Sequence, residues 1–218
     1  MSKILLTISL ITLTLCGFSQ QKEYFNGMIK HKHSYKSETL NTDSLSSKKS
    51  VGDIYYFHKN LYQGITFVGE NQLIYTYDCE RNSCLDYNLK ASNISCNDYS
   101  INKGDTLVNS HKKEGTFTVS GIQCELYISE YPTVTYHEYV TDGFYIDSKL
   151  YENHNAYDYS TKMKVLGGRL AIRTEIIMSD YTMVIDLIDY KESKEPLTDF
   201  TNFDKWWKIC DSSAETAK

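Results

Sequence analysis

The sequence predicts a mainly antiparallel β domain, and three observations carry that prediction. The 218 residues include nineteen tyrosines and only two prolines, a composition that favours strands. The stretch 116–128, TFTVSGIQCELYI, passes a Gly-marked turn and then alternates apolar and polar side chains, the pattern of a strand with one buried face. Short segments of the same kind lie on both sides of it, separated by turn-forming residues. We therefore expect this stretch to form the central strand of the sheet.

The chain divides into a leader, one domain and a tail. Residues 1–19 combine a basic Lys3, a short apolar run and Gly17-Phe18-Ser19, which together are typical of a cleaved signal peptide. Lipid attachment at Cys16 is the alternative interpretation. Residues 20–210 are expected to form a single β domain and 211–218 a disordered tail. The protein is thus expected in the periplasm or outside the cell, without a membrane span.

Alternation predicts the strands of the first half. In 27–36, Ile29, His31, His33 and Tyr35 alternate with lysines and a serine. The lysines predict a solvent face and an edge position, because charged edges oppose pairing with other chains. The polar stretch 37–53 is expected to be a partly helical flap. Short strands are then expected near 54–58, 61–68 and 73–77.

The second half is predicted from turn residues and one helical pattern. Asp142-Gly143 predicts a tight hairpin between strands at 133–141 and 144–146. The irregular stretch 148–164 is predicted to be a lid or long loop, and Gly167-Gly168 opens two long strands, 169–178 and 181–190. An apolar stripe after a capping-box spacing predicts a helix at 203–210 that plugs the sheet.

The cysteines are interpreted in an oxidising compartment, where disulfides persist. Cys79 and Cys84 flank a polar loop of four residues, and we predict that they form a disulfide. A metal pair is the alternative, but zinc sites need four ligands and no second close Cys/His pair follows. Cys124 lies on the apolar face of its strand and is interpreted as a buried hydrophobe.

Charge and motifs argue against several functions. A net charge of −5 without a basic run is atypical of nucleic-acid binding. The sequence has no nucleophile elbow, phosphate-binding glycine loop or zinc-protease helix, so we predict no enzyme, no catalytic residue and no cofactor. His31 and His33 share a strand face and could begin a metal site. Their alternation with lysine is more typical of a wet face, and no metal site is predicted.

The order of these pieces carries a family resemblance. It comprises the strand at Gly27-Met28-Ile29, the central TFTVSGIQCELYI and the LTDF of residues 197–200. Gly121, Cys124 and Tyr127 match a motif that reads roughly T-x-x-I-x-G-Y-x-C-x-x-Y, with Ile122 at the usual aromatic position. The chain resembles secreted Gram-negative families of unknown function with this motif, which are related to the LolA-like fold of lipoprotein carriers. The usual proline after the terminal Phe is absent here.

The resemblance implies a strongly curved antiparallel sheet, an unclosed barrel, with short helices at its mouth and C-terminus. It implies no catalytic residues. On this fold we expect a module that binds an apolar small molecule, a lipid or an acyl chain, with an envelope protein as a further conceivable partner. Apolar pockets are lined by aromatic and aliphatic side chains, which we expect to be Phe57, Ile65, Phe67, Tyr75, Tyr77, Ile122 and Leu126.

The alternative function is a ligand-free module that meets protein or glycan partners through a tyrosine-rich surface. An open apolar cavity favours ligand binding, whereas an interior filled by side chains favours the interaction module.

The leader yields the first testable prediction. We expect the exported protein to begin near Gln20 without a lipid, because Gly17-Phe18-Ser19 fits soluble cleavage better than Leu15 fits the residue before a lipidated cysteine. The intact mass of the exported protein measures this directly. A diacylglycerol-modified Cys16 would contradict it.

Overall fold

The computed structural model describes residues 24–198 and Trp207, and it confirms a mainly β fold. Eleven strands form one antiparallel sheet that is not closed into a barrel. The strands are β1 (Gly27–Lys36), β2 (Ser50–His58), β3 (Leu61–Val68), β4 (Asn71–Asp78), β5 (Ser83–Asn88), β6 (Asn93–Asp98), β7 (Asn109–Val119), β8 (Ile122–Glu130), β9 (Thr135–Tyr145), β10 (Arg169–Ile177) and β11 (Thr182–Glu192). Their order in the sheet is β6-β5-β4-β3-β2-β1-β11-β10-β9-β8-β7.

The connection from β6 to β7 forces the sheet to curve. These two strands are the opposite edges of the sheet, yet only residues 99–108 connect them. A fully extended link of this length reaches roughly 40 Å. Eleven strands laid flat would place their edges about 48 Å apart, at about 4.8 Å per strand. The sheet must therefore bend, and its concave side becomes an interior that has to be filled.

Two predicted strand positions are wrong. β8 forms with the predicted alternation, since Cys124 and Leu126 are buried, but it is next to the edge strand rather than central. β1, which the lysines placed at an edge, is the sixth of eleven strands and pairs with both β2 and β11. Lys30 and Lys32 are exposed, so the solvent face was correctly predicted. Lysine favours solvent on a central strand as well as on an edge strand, so it predicts the exposed face but not the position in the sheet.

The predicted hairpin at Asp142-Gly143 is also wrong, because β9 continues through it. Arg169 pairs with Tyr145 and Ala171 with Val140, with register shifts on both sides of Ala171. Between these two pairs β10 advances by two residues and β9 by five, so the extra residues of β9 form a bulge. Asp142 and Gly143 lie exposed in this bulge, which explains why they have turn chemistry within a strand.

The concave side is filled by residues 148–166, which we call the plug. It contains 3₁₀ turns at Ser148–Tyr151 and Ala156–Asp158 and the helix Tyr159–Val165. We name this helix α2, because α1 (Thr42–Lys48) precedes it. The predicted lid is therefore part of the core. Its most buried members are Tyr151, His154, Ala156, Met163 and Leu166.

The plug is tied to the link between the two sheet edges. The backbone N–H groups of Asn155 and Ala156 both donate to the carbonyl of Tyr99, at 2.7 and 3.1 Å. The carboxylate of Asp158 accepts from the N–H of Leu107 at 2.9 Å. The segment that closes the curve and the segment that fills it thus support each other.

The other predicted helices have different outcomes. α1 lies within the expected flap and begins at Asn41, whose side chain accepts from the N–H of Ser44. The helix predicted at 203–210 falls outside the described residues except Trp207, which is helical and buried, with Arg81 5.3 Å from its ring. The leader and the tail 211–218 lie outside them as well. No helix in the described part of the chain has the length and apolar character needed to cross a bilayer.

The predicted Cys79–Cys84 disulfide is not formed, and both thiols are free. Asp78 pairs with Ser83 at the end of the β4–β5 ladder and Tyr77 pairs with Cys84, so continuing the register places Asn82 opposite Cys79. Cys79 lies in the turn between the strands and Cys84 pairs with Tyr77, so the two cysteines are not directly opposite each other, the arrangement that brings Cβ atoms within disulfide reach. Cys124 is buried as predicted and its thiol is free, whereas Cys96 is disulfide-bonded.

The packing of Gly64 against Tyr75 gives a stability prediction. The two residues face each other on β3 and β4, and a Cβ atom at Gly64 would overlap the Tyr75 ring. Gly64→Ala should therefore lower the free energy of unfolding by about 1–3 kcal/mol through overpacking. Urea denaturation measures the change.

Gly143→Ala is the matched control. A Cβ atom there meets only the Thr141 methyl group at 3.8 Å, on an exposed bulge. It should change stability by less than about 0.5 kcal/mol. Equal effects of the two substitutions would contradict close packing at Gly64.

Candidate functional site

The concave face of β2 to β5 carries two rows of mostly aromatic side chains. One row runs across the strands through Phe57, Tyr62, Tyr77 and Cys84, which are successive cross-strand partners. The next row runs through Tyr55, Gly64, Tyr75 and Asp86 in the same way. Because side chains alternate between faces, both rows point to the side that the plug covers. Gly64 leaves room in the second row for the Tyr75 ring.

The plug does not fill this face completely and leaves a cavity of about 300 Å³, which we call the aromatic cavity. That volume lies at the lower end of small-molecule sites. The sheet and the connection after β6 supply one wall, and the plug supplies the other. Its lining residues are Tyr55, Phe57, Tyr62, Tyr75, Asp86, Tyr99, His154, Ala156, Tyr157 and Tyr159.

His154 is the polar centre of the aromatic cavity. Its ring centre lies 4.4 Å from that of Tyr77, 4.5 Å from that of Tyr159 and 4.8 Å from that of Tyr99. Its Nε2 is 3.0 Å from the hydroxyl of Tyr62, while its Nδ1 has no hydrogen-bond partner among the described residues. Burial lowers the pKa of His154 to about 4. The imidazole is therefore neutral at pH 7.

A neighbouring cavity of about 170 Å³ shares Tyr55, Phe57 and Tyr159 with the aromatic cavity. We call it the charged cavity, because ionisable side chains lie among its apolar walls. Glu138 of β9 and Lys162 of α2 form an ion pair there with a 2.7 Å contact, and Glu138 is only 1% exposed. Burial alone would lower the pKa of Lys162, but the Glu138 carboxylate raises it above its usual value. Lys162 is thus held in its charged form.

The charged cavity also contains a carboxylate held between two histidines. Asp53 accepts from His31 at 2.6 Å and contacts His33 at 2.9 Å, and His33 in turn contacts the Ser50 hydroxyl at 2.8 Å. Burial alone would raise the pKa of Asp53, but the two histidine hydrogen bonds outweigh it and lower the pKa. The predicted wet face of β1 is thus correct for its lysines and wrong for His33, which is buried.

This arrangement bears on the metal alternative for His31 and His33. Their ring nitrogens engage Asp53 and Ser50 rather than converging on a common point. Within residues 24–198 and Trp207, no group of three or more His, Cys, Asp or Glu side chains is placed to hold a metal ion.

Arg169 closes the charged cavity near the start of β10. Its guanidinium donates to Glu125 at 2.7 Å and to the Tyr127 hydroxyl at 2.6 Å. Tyr127 is one of the motif residues of the central stretch, and Gly121 adopts φ +83° in the turn that opens β8. These motif residues therefore build a hairpin and orient an arginine at the cavity wall.

The structure brings only part of the predicted lining set to the cavities. Phe57 lines both cavities and Tyr75 lines the aromatic one. Tyr77 is fully buried behind the wall, against His154. Ile65 and Phe67 lie on the opposite face of β3 from Tyr62, by strand alternation. Leu126 is buried at 2% exposure and Ile122 is 44% exposed, and neither residue of β8 lines either cavity.

The sequence analysis missed Tyr55, Tyr62, Glu138, His154 and Lys162. Tyr55 was detectable, because alternation places it on the same face of β2 as Phe57. Tyr62 was detectable as well, because alternation places it on the same face of β3 as Gly64. Lys162 and His154 lie in a stretch with no strand period, and Glu138 is a charged residue on a strand. Nothing local distinguishes such residues from solvated ones.

Comparisons with known proteins assign this chain to no family. No family model matches the chain, and no curated protein does. Two solved structures of PNGF-II, in C2 and P21 crystal forms, are similar with TM-scores of 0.46 and 0.44 and 10% identity. They cover 81% and 80% of this chain, which spans only 29% and 30% of theirs. A likeness at this level carries no inference about activity.

Burial of His154 predicts a pH dependence of stability. The unfolded histidine takes up a proton near pH 6.5, whereas the folded one does so only near pH 4. The contribution of the neutral His154 to the free energy of unfolding is therefore fully present above about pH 6.5, and it is lost as the pH falls towards 4. The loss amounts to roughly 3 kcal/mol.

His154→Gln should show a smaller loss of unfolding free energy between pH 7 and pH 4, measured by urea titration at each pH. His111→Gln is the control, because His111 is exposed on the edge strand β7, and it should follow the wild type. Parallel pH profiles for the wild type and His154→Gln would contradict the assigned role of His154.

Proposed function

We propose that the protein is a non-catalytic binding module that holds a compact apolar molecule, aromatic rather than extended, between its curved sheet and its plug. The observation that carries this proposal is the aromatic cavity, whose volume is about 300 Å³ and whose walls are mainly tyrosine rings. Such rings offer large apolar faces at low conformational cost. The cavity is small for a long acyl chain, so a lipid is a less favoured ligand than a compact aromatic molecule.

The expected affinity is modest. A bicyclic or tricyclic aromatic molecule has about 15 non-hydrogen atoms, and about 0.4 kcal/mol per atom gives about 6 kcal/mol of binding free energy. This corresponds to a dissociation constant of tens of micromolar. Such an affinity suits a carrier or sensor that must also release its ligand.

We further propose that the protein acts in the periplasm or outside the cell. The support comes from the sequence of residues 1–19, with its basic start, short apolar run and small residues near position 19. The resemblance to secreted Gram-negative families points the same way.

The interaction module remains the second candidate, and a specific observation favours it. Tyr151, Met163 and Leu166 of the plug are almost completely buried, so side chains occupy most of the concave side. If the remaining cavities hold only water, the tyrosine-rich exterior becomes the better place to look for a function.

Filling the aromatic cavity tests the proposal. Ala156 lines it and is fully buried, so Ala156→Leu places three additional carbon atoms inside. Titration with 1-aminoanthracene, followed by its fluorescence, should show saturable one-to-one binding to the wild type. The variant should bind at least tenfold more weakly, because the added side chain occupies the ligand volume.

Ala91→Leu is the matched control, since Ala91 is exposed in the turn before β6, and it should bind like the wild type. A circular dichroism melt verifies that Ala156→Leu is folded. Absence of saturable binding to the wild type, or equal binding by both variants, would contradict the cavity as a ligand site and favour the interaction module.

A further inference from the structure

The charged cavity contains a buried carboxylate oxygen that lacks a partner. Glu138 is 1% exposed and lines this cavity. Its Oε1 accepts from the ammonium group of Lys162, but its Oε2 has no hydrogen-bond partner among the described residues. Buried polar atoms are almost always hydrogen-bonded, and a carboxylate oxygen without a partner is especially costly. This oxygen therefore marks a place where another molecule can donate a hydrogen bond.

The other carboxylate on the cavity wall does not offer such a place. Asp53 has one oxygen engaged by His31 and the other by His33. Arg169, which also lines the cavity, is engaged by Glu125 and Tyr127. Among the described carboxylates that line the cavity, Glu138 is thus the one with an available oxygen.

The partner of Glu138 defines what can bind beside it. Lys162 carries an ammonium with three donors, and it lies 5.0 Å from the ring centre of Tyr136. Together the two side chains are electrically neutral and present an acceptor next to a donor. Met163 and Leu166 of the plug form apolar wall around them.

We propose that the Glu138–Lys162 pair anchors a hydroxyl group, so that the protein selects apolar alcohols or phenols. This inference rests on the proposed function and narrows its ligand class: the hydroxyl end of the ligand would enter the charged cavity beside the shared residues Tyr55, Phe57 and Tyr159. A hydroxyl donates one hydrogen bond and accepts others, so it satisfies Oε2 of Glu138 and receives a hydrogen bond from Lys162. A hydroxyl is the smallest organic head group that meets both requirements without displacing one member of the pair.

The alternatives fail for separate reasons. A carboxylate ligand has no proton to donate and adds a second negative charge beside Glu138, which is unfavourable in a buried site. An ammonium ligand competes with Lys162 for the same carboxylate. A hydrocarbon leaves Oε2 without a partner. A binding site discriminates against ligands that lack a polar group because its own buried polar atoms then stay unpaired.

Three matched probes test the inference: 2-naphthol, naphthalene and 2-naphthoate, titrated calorimetrically at pH 7. The wild type should bind 2-naphthol at least tenfold more tightly than naphthalene, because hydrogen bonds to charged groups have this magnitude. It should bind 2-naphthoate more weakly than 2-naphthol by at least the same factor. This comparison requires no variant.

The double variant Glu138→Met/Lys162→Met removes the pair while keeping side-chain volume, a replacement that buried ion pairs often tolerate. It should bind naphthalene and 2-naphthol with equal affinity. Arg173→Met/Asp186→Leu is the matched control, because it removes an ion pair with a 2.6 Å contact on the outer face. This control should keep the preference for 2-naphthol.

The outcomes separate this inference from the proposed function. Binding of naphthalene and 2-naphthol with equal affinity by the wild type would overturn the hydroxyl anchor and leave the binding module standing. Retention of the preference in the folded Glu138→Met/Lys162→Met variant would also overturn it. Absence of binding by all three probes would overturn both.

Discussion

The short link between β6 and β7 is the constraint on which the rest of this structure depends. It joins the two opposite edges of an eleven-stranded sheet, and it is too short to cross that sheet if it were flat. Curvature is therefore imposed by chain connectivity and does not need a special sequence in each strand. Curvature in turn creates a concave side whose apolar rows require a cover. The plug meets this need, and its hydrogen bonds to Tyr99 and Leu107 fix it to the same link.

Tyrosine suits such an interior because its ring fills a broad space while its hydroxyl requires a partner. Tyr62 reaches His154, and Tyr77 reaches Asn82. Each pairing orients a ring and leaves the cavity walls rigid but not purely hydrocarbon. An interior of leucine would pack more uniformly and offer no directional contacts. The same choice of residue thus determines both how the core packs and what kind of molecule the cavities can accept.

Local pattern predicted the strands well, and long-range pairing explains what it missed. The existence of β8 and of the long strands β10 and β11 was correctly predicted, because runs of strand-forming residues are a local signal. The central position of β1 depends on pairing with β11, more than 140 residues later, and no local signal encodes that. The bulge at Asp142 and Gly143 likewise depends on the register of β10. Of the residues predicted to line a pocket, Phe57 and Tyr75 line the aromatic cavity, whereas Ile65 and Phe67 lie on the opposite face of β3 from Tyr62. The face of β3 that meets the plug is fixed by tertiary packing, which no local pattern encodes.

Core and candidate site are built from the same side chains, which couples ligand binding to stability. Oε2 of Glu138 and Nδ1 of His154 both lack hydrogen-bond partners among the described residues, and each belongs to a residue that lines a cavity under the plug. A buried polar atom without a partner lowers the stability of the fold. A ligand that supplies a donor to Glu138 removes that penalty in the folded state alone, because the unfolded chain satisfies the same atom with water. Occupancy at a hundredfold excess over the dissociation constant would then stabilise the fold by about 2.7 kcal/mol. The plug would be held most firmly in the bound state, since Lys162 and His154 both belong to it.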